Sequence, residues 1–200
     1  LRALSMRRLA TALGVDPMAI YYYLPNKAAL EDAIVEAVNV GIEGPAEFTS
    51  FALYDLVVMA GHIFRGTLLA HPNAAPLLAV RSLATPIGFE PAEAMLSGLV
   101  AGGLTLTEGI AAIDVFSTFV TGSVLREVQL PSGPEHDGHL QFRKMKDQLD
   151  EAEFPNLRRA LAEGNLMDFD AEFEFGLSAL ARGLAELAES NRRAPKGELR

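Results

Sequence analysis

Three observations predict an all-α fold in which a small N-terminal helix-turn-helix unit precedes a larger helical body. Apolar residues recur at steps of three and four along most of the chain, and strand-like alternation is absent. Ser5, Asp16, Asn26, Thr105 and Asp168, all good helix-opening residues, stand before these runs, while Gly14, Pro25, Gly41, Gly44 and Pro45 interrupt them. Half of the 200 residues are hydrophobic, enough for a sizeable core and far from the composition of a disordered chain.

The first helix opens at Ser5 and places Met6, Leu9, Ala10 and Leu13 on one face, with Arg7, Arg8 and Thr11 outward. Gly14 ends it, because glycine reaches left-handed backbone angles cheaply. Val15 is expected as a buried plug in the turn. Asp16 caps the second helix and Pro17 fits its first position, where no backbone donor is needed. That helix, from Met18 to about Tyr23, is too short to stand alone and is expected to be held through Ile20, Leu24 and one edge of the tyrosine row. Leu24, Pro25 and Asn26 stop it, and a third helix follows from Lys27 to about Val40 with Leu30, Ile34 and Val38 on its buried stripe.

Two short helices joined by a Gly-containing turn form the arrangement whose second helix enters the DNA major groove. Leu9-Ala10, Leu13-Gly14-Val15, Tyr21-Tyr22-Tyr23 and Asn26-Lys27 together make the pattern more specific. With these motifs the segment resembles the DNA-binding domain of the TetR family of transcriptional regulators. The resemblance implies that Arg7 reaches a base edge, where a guanidinium suits the two acceptors of guanine. It places Pro17, Met18, Ala19 and Tyr22 at groove-facing positions and Tyr21, Tyr23 and Lys27 at or beside phosphate-contacting ones. This surface is short of forked donors, so thymine methyl contacts and DNA shape are expected to carry part of the specificity. Three consecutive residues cannot all face one side of a helix, so one tyrosine is expected in the core.

A net charge of −9 disfavours DNA binding by the chain as a whole, but its distribution is uneven. Residues 1–27 carry Arg2, Arg7, Arg8 and Lys27 against Asp16, a balance of +3 that leaves −12 for the remainder. A basic head on an acidic body orients the molecule toward DNA and limits non-specific adhesion. In the resembled family a longer helix precedes this motif, so the natural protein is expected to begin roughly 20 residues or more upstream, given the ~1.5 Å rise per residue of a covering helix. The absence of cysteine excludes disulfides and thiolate metal sites and fits a reducing, cytoplasmic setting. No uninterrupted apolar run approaches the ~18 residues of a membrane span, and no leader is recognised, so a soluble protein without membrane contact is expected.

Beyond Val40 the composition becomes more apolar. Residues 51–71 predict one long helix with Leu53, Leu56, Val57, Ala60, Phe64 and Leu68 buried, ended by His71-Pro72-Asn73. Shorter helices are expected over 75–84 and 90–102. Thr105 and Glu108 form a capping box that opens a helix to about Glu127. Residues 131–138 read as a mobile loop, 142–148 and 156–163 as further helices, and the last helix, capped by Asp168 or Asp170, extends to about Asn191 before a frayed tail over 192–200.

In the last helix Phe173, Leu177, Leu180, Leu184 and Leu187 step by four and three, with Gly176, Ala179 and Gly183 on the flanks. The helix from Thr105 mixes Ile110, Ile113, Val120 and Val124 with Ala112, Ser117 and Gly122. Helices apolar on several sides must be buried on several sides. The family resemblance implies a four-helix bundle between two subunits, hence a homodimer matched to a palindromic operator. It thereby divides the chain into a DNA-binding domain over 1–44 and a ligand-binding and dimerisation domain over 45–200.

The same resemblance places a small-molecule effector in the body. Phe64, Leu68, Leu78, Met95, Phe116, Phe119 and Leu125 are candidate walls, and His62, Arg81, Thr118, Thr121 and Arg126 candidate polar contacts. Leu106-Thr107-Glu108, Gly122-Ser123-Val124-Leu125, Phe154-Pro155-Asn156-Leu157 and Phe175-Gly176-Leu177 resemble the tetracycline-repressor branch in order along the chain. That branch binds a magnesium chelate of its drug. Its metal-binding histidine falls here near Leu77 and Leu78, and a nearby acidic position meets Arg126, with Glu127 one step off. Leu and Arg cannot supply oxygen ligands to magnesium. The expected effector is therefore an apolar molecule, anionic or hydrogen-bond accepting, other than a tetracycline, and no metal or cofactor is implied.

Catalysis finds little support. His136 and His139, with Glu135 and Asp137, have metal-compatible spacing but lie in a polar loop, and no phosphate-cradling loop or nucleophile motif occurs. His62 and His71 suit a helix surface and a helix end. The competing non-enzymatic reading is a helical ligand-binding or interaction protein with a degenerate DNA-binding head, suggested by the acidic total and the donor-poor Pro17-Met18-Ala19 surface.

Overall fold

Ser5 Oγ accepts the amide proton of Arg8 at 3.3 Å and opens α1 (Met6–Leu13). Gly14, at φ 67°, ends it: its amide donates to Thr11 O and that of Val15 to Ala10 O, the paired bonds of a Schellman turn. Asp16 Oδ1 accepts from Met18 N at 2.7 Å at the head of α2 (Pro17–Tyr23), and Asn26 Oδ1 from Ala29 N at 2.9 Å at the head of α3 (Lys27–Val40). Each cap satisfies an amide that the helix itself cannot. The computed structural model describes residues 4–40, 42, 48–81, 89–129, 148–163 and 168–194, and all regular structure among them is helical.

The body continues with a short 3-10 turn (Phe48–Ser50), α4 (Leu53–Ala70), α5 (Ala75–Arg81), α6 (Phe89–Ala101), α7 (Leu106–Gln129), α8 (Pro155–Glu163) and α9 (Phe169–Arg193). The reciprocal capping box at the start of α7 is formed: Thr105 N donates to Glu108 Oε2 at 2.8 Å and Glu108 N to Thr105 Oγ1 at 3.2 Å. These bonds draw the Glu108 carboxyl below its ordinary range, the Thr105 amide first, then the Thr105 hydroxyl, against burial, with a further contribution from Asn191. Asp168, rather than Asp170, caps α9 through Ala171 N at 2.9 Å.

Helices α4, α7 and α9 pack on one another, α6 leans on α7 and the 3-10 turn, and α5 bridges α7 to α3. Leu56, Val57, Leu68, Leu99, Val120, Val124, Phe173 and Leu177 are almost fully buried between them. Close approach depends on glycine at two crossings. A Cβ at Gly61 would stand 2.6 Å from Leu177 Cδ1, and one at Gly176 2.4 Å from the Phe119 ring. By length and mean hydropathy (1.2 and 1.3) α4 and α7 are apolar enough to cross a membrane, and the two pack on each other in the body. A second, smaller core joins Met6, Ala10, Ile20 and Leu30. Helix α3 serves both: Leu30 belongs to the head, Val35 and Val38 to the body.

Several expectations are corrected. Val15 is 44% exposed and Leu13 62%, because backbone hydrogen bonds close the turn and no side-chain plug is required. None of the three tyrosines enters the core, since Ile20 and Leu24 alone anchor α2. On α9 the buried row runs through Phe173, Leu177, Ala181 and Ala188, leaving Leu180 and Leu184 half-buried and Leu187 exposed; alanines on the inner row let α9 lie close to its neighbours. Ile110 is also exposed. Arg192 is not frayed: it donates to Gly102 O, and Asn191 Nδ2 donates to Gly103 O and Glu108 Oε2, clamping the α6–α7 turn. Gly41, Gly44, Pro45, the loop expected over 131–138, His139, and residues 142–147 of the helix expected over 142–148 lie outside the described residues.

Candidate DNA interface and ligand cavity

The turn chemistry around Gly14 and Asp16 fixes α2 against α1 with only Ile20 buried, which leaves its other faces free. Met18 is 72% exposed, Tyr22 83% and Tyr23 78%, with Tyr21 less so at 41%. The rings of Tyr22 and Tyr23 meet edge to face at 5.1 Å, so the pair projects as a unit. Arg7 and Ala19 are exposed and Pro17 is half-buried. Lys27 pairs loosely with Glu31 at 3.7 Å, one turn along α3. Every residue assigned to DNA by the sequence therefore stands on α1, α2 or the start of α3, and all except Pro17 are exposed.

Between the end of α3 and helices α4, α6 and α7 lies a cavity of about 140 Å³. Its walls include Phe48, Ile63, Phe64, Met95, Ile113 and Phe116, with Asn39, Asp114 and Ser117 the polar members. Phe64 and Phe116 stack at 6.3 Å with an interplanar angle of 22°. A second cavity of about 310 Å³ adjoins it through Phe64, Asp114 and Ser117 and extends to Leu78, Thr118, Thr121 and Leu125. These two adjoining cavities, the slot, have aromatic walls in the first and the hydroxyls of Thr118 and Thr121 in the second, a lining suited to a largely apolar molecule.

Of the residues expected at a ligand site, Phe64, Leu78, Met95, Phe116, Thr118, Thr121 and Leu125 are brought together here. Leu68 is buried in the main core, and Phe119 stacks on Phe173 at 5.5 Å across the α7–α9 contact. His62 is half-exposed and faces Glu174 at 3.5 Å. Arg126 pairs with Glu172 on the surface and lies over the Phe169 ring. Arg81 ends α5, and its side chain lies outside the described residues. Sequence reasoning missed Asn39, Ile42, Phe48, Ile63, Ile113 and Asp114. Asn39 carried a signal, standing four residues after Val35 on a second apolar face of α3 and three before Ile42.

Glu127 is engaged elsewhere. Arg65 donates to it at 2.8 Å and to Asp170 at 2.6 Å, with its guanidinium 4.8 Å from the Phe173 ring centre. Burial opposes the Arg65 charge, but hydrogen bonds and attraction from the two carboxylates outweigh it and raise the pKa above its ordinary value. Leu77 and Leu78, where the resemblance would place a metal-binding histidine, are buried hydrocarbon. Among the described residues no group of three or more His, Cys, Asp or Glu side chains is placed to hold a metal ion.

Residues 53–188 match the family model of the tetracyclin repressor-like C-terminal domain. An HTH-type transcriptional regulator of Saccharopolyspora erythraea is 30% identical over 194 residues, covering 94% of this chain and 78% of the relative. The class C tetracycline repressor of Escherichia coli is 29% identical over 192 residues, covering 94% and 84%. The crystal structure of Streptomyces coelicolor ActR in complex with actinorhodin superposes with a TM-score of 0.82 at 29% identity, covering 94% of this chain and 89% of that one. The match to the family model spans more than half of the chain and the similarity to whole regulators reaches into its helix-turn-helix, so the chain belongs to the TetR family of transcriptional regulators.

Proposed function

We infer that this protein is a ligand-responsive, DNA-binding repressor that grips a palindromic operator as a homodimer and releases it when a largely apolar effector enters the body. The observation that carries this reading is the position of the slot: α3, which begins beside the recognition helix at Lys27, brings Asn39 in its last turn to the cavity wall, where Ile42 also stands. An effector seated there touches both the helix that carries the head and the helices that build the body. Its differential affinity for two settings of α3 is then a change in operator affinity.

Arg7, Pro17, Met18, Ala19, Tyr21, Tyr22, Tyr23 and Lys27 form the DNA surface, with residues 1–44 as the DNA-binding domain and 45–200 as the ligand-binding and dimerisation domain. Phe64, Leu78, Met95, Phe116, Thr121 and Leu125 line the effector site. Dimerisation is assigned to α7 and α9, where Ile110, Val115, Phe175 and Leu187 are exposed beside the uncovered Gly122 and Gly183. Small residues and flat apolar side chains on two neighbouring helices suit a two-fold helical interface. The regulator works in the cytoplasm, without a cofactor, a membrane or a catalytic step.

The test is selection of the full-length dimer on random duplexes at low salt. Enrichment of one palindrome, weakened by Arg7→Ala or Tyr22→Ala, supports the reading, and compounds are then screened for release. Failure to enrich any sequence would reassign the protein as a helical binding protein whose head no longer reads DNA.

A further inference from the structure

One face of α7 gives the slot a polar stripe. Asp114, Ser117, Thr118 and Thr121 follow one another at steps of three, one and three, which puts them on one side of the helix. All four line the second cavity, and Asp114 and Ser117 also line the first, together with Phe64. Among the described residues Asp114 is the one charged side chain in either lining. Two of the cations that the sequence offered to an anionic effector are engaged elsewhere: Arg126 pairs with Glu172, His62 faces Glu174, and neither belongs to a lining. The side chain of the third, Arg81, lies outside the described residues. Asp114 is exposed, so water screens part of its charge and the discrimination it gives is moderate.

We propose that Asp114 is the specificity-determining residue of the effector site and that the effector is a cationic amphiphile, an apolar body carrying a protonated amine. This rests on the slot being the effector site and adds the charge it selects. An ammonium group brings only donors, and the side chains of the α7 stripe bring one carboxylate and three hydroxyls, all able to accept. The carboxylate attracts an ammonium, favours a neutral hydroxyl less and repels another carboxylate. Phe64, Met95 and Phe116 hold the apolar part of the molecule whatever its charge, so they supply affinity without this discrimination. The acidic balance of the chain beyond residue 27 acts in the same sense, because its field raises the local concentration of cations.

The experiment uses the full-length dimer at neutral pH with three fluorescent probes on one anthracene frame: 9-(aminomethyl)anthracene as its ammonium, 9-anthracenemethanol and 9-anthracenecarboxylate. Binding is followed by fluorescence anisotropy. The wild-type protein is expected to bind the ammonium about tenfold tighter than the alcohol, the discrimination of one partly screened charge-assisted hydrogen bond, and the carboxylate most weakly. Added salt should narrow the gap. Asp114→Asn keeps the shape and is expected to bind ammonium and alcohol with near-equal affinity, and Asp114→Lys to prefer the carboxylate. A wild-type protein that does not prefer the ammonium, a preference that salt leaves unchanged, or an Asp114→Asn protein that folds by circular dichroism and keeps the preference overturns the assignment of Asp114 while leaving the slot as the effector site. If no probe binds the wild-type protein, the slot itself loses its role and the Asp114 proposal falls with it.

Discussion

The head and the body both expose large apolar side chains, and their neighbours distinguish the two surfaces. On α2, Met18, Tyr22 and Tyr23 stand exposed, on a head that also exposes the cations Arg7, Arg8 and Lys27 on α1 and α3. On α7 and α9, Ile110, Val115, Phe175 and Leu187 are exposed on helices that also carry the small residues Ala111, Gly122, Ala179 and Gly183. Aromatic side chains interleaved with cations suit a polyanion; a smooth stripe of apolar and small residues suits another helix. The cores differ accordingly. The head closes on Met6, Ala10, Ile20 and Leu30, because α2 keeps the rest of its surface for a partner, while the body locks α4, α7 and α9 around Phe173 and Leu177.

The largest effect should fall on the body core. Phe173→Ala removes a ring that touches Phe119 and Arg65, and a loss of about 3–5 kcal/mol is expected in denaturant unfolding at fixed protein concentration. If the head were the stability-determining unit, this midpoint would barely move. Phe175→Arg tests the other exposed surface: its ring is 79% exposed in the single chain, so the fold should be kept while dimer affinity falls by at least about 2 kcal/mol, the scale of an interface anchor, as read by sedimentation. A dimer unchanged in strength would place the interface elsewhere.

Smaller effects separate reading from gripping in the head. Arg7→Ala should cost about 1–3 kcal/mol against the selected operator and relax base preference at one position, whereas Lys27→Gln should weaken all duplexes alike and reduce the salt slope by about 0.9. Equal loss on every sequence for Arg7→Ala would make it a phosphate contact.

The smallest effect concerns the cap of α7. The Glu108 carboxyl is depressed in the folded state, so its contribution is complete at neutral pH and is lost as pH falls from the ordinary carboxylate range through the folded value. Glu108→Gln should flatten that part of the stability profile and, with Thr105→Val, cost about 1 kcal/mol through the lost cap. An unchanged acid limb in Glu108→Gln would assign the pH dependence to other carboxylates.

Much of the head was legible because its signals are local. Ser5, Gly14, Asp16, Pro17 and Asn26 act within four residues of themselves, so caps and turn follow from the sequence, and the capping box of Thr105 and Glu108 is local in the same way. The slot was legible in part. Phe64, Met95 and Phe116 announce themselves as aromatic or flexible apolar groups on helices facing one another, but a list of such residues does not say which line a space and which fill the core. Leu68 and Phe119 went to packing for that reason, and Asn39 and Ile42 were overlooked because α3 had been read as part of the head alone.

What the sequence by itself determined was the order of the helices, their caps, the basic head on an acidic body and the identity of the exposed recognition helix. Each depends on residue spacing or on contacts within one turn. Only the tertiary structure decided that α3 joins both cores, that Val15 and the tyrosines need no burial, that Glu127 is held by Arg65, and that Asn39 borders the slot. Those facts depend on how helices far apart in sequence rotate to fit one another, and small differences in close packing at crossings such as Gly61 against Leu177 set that rotation.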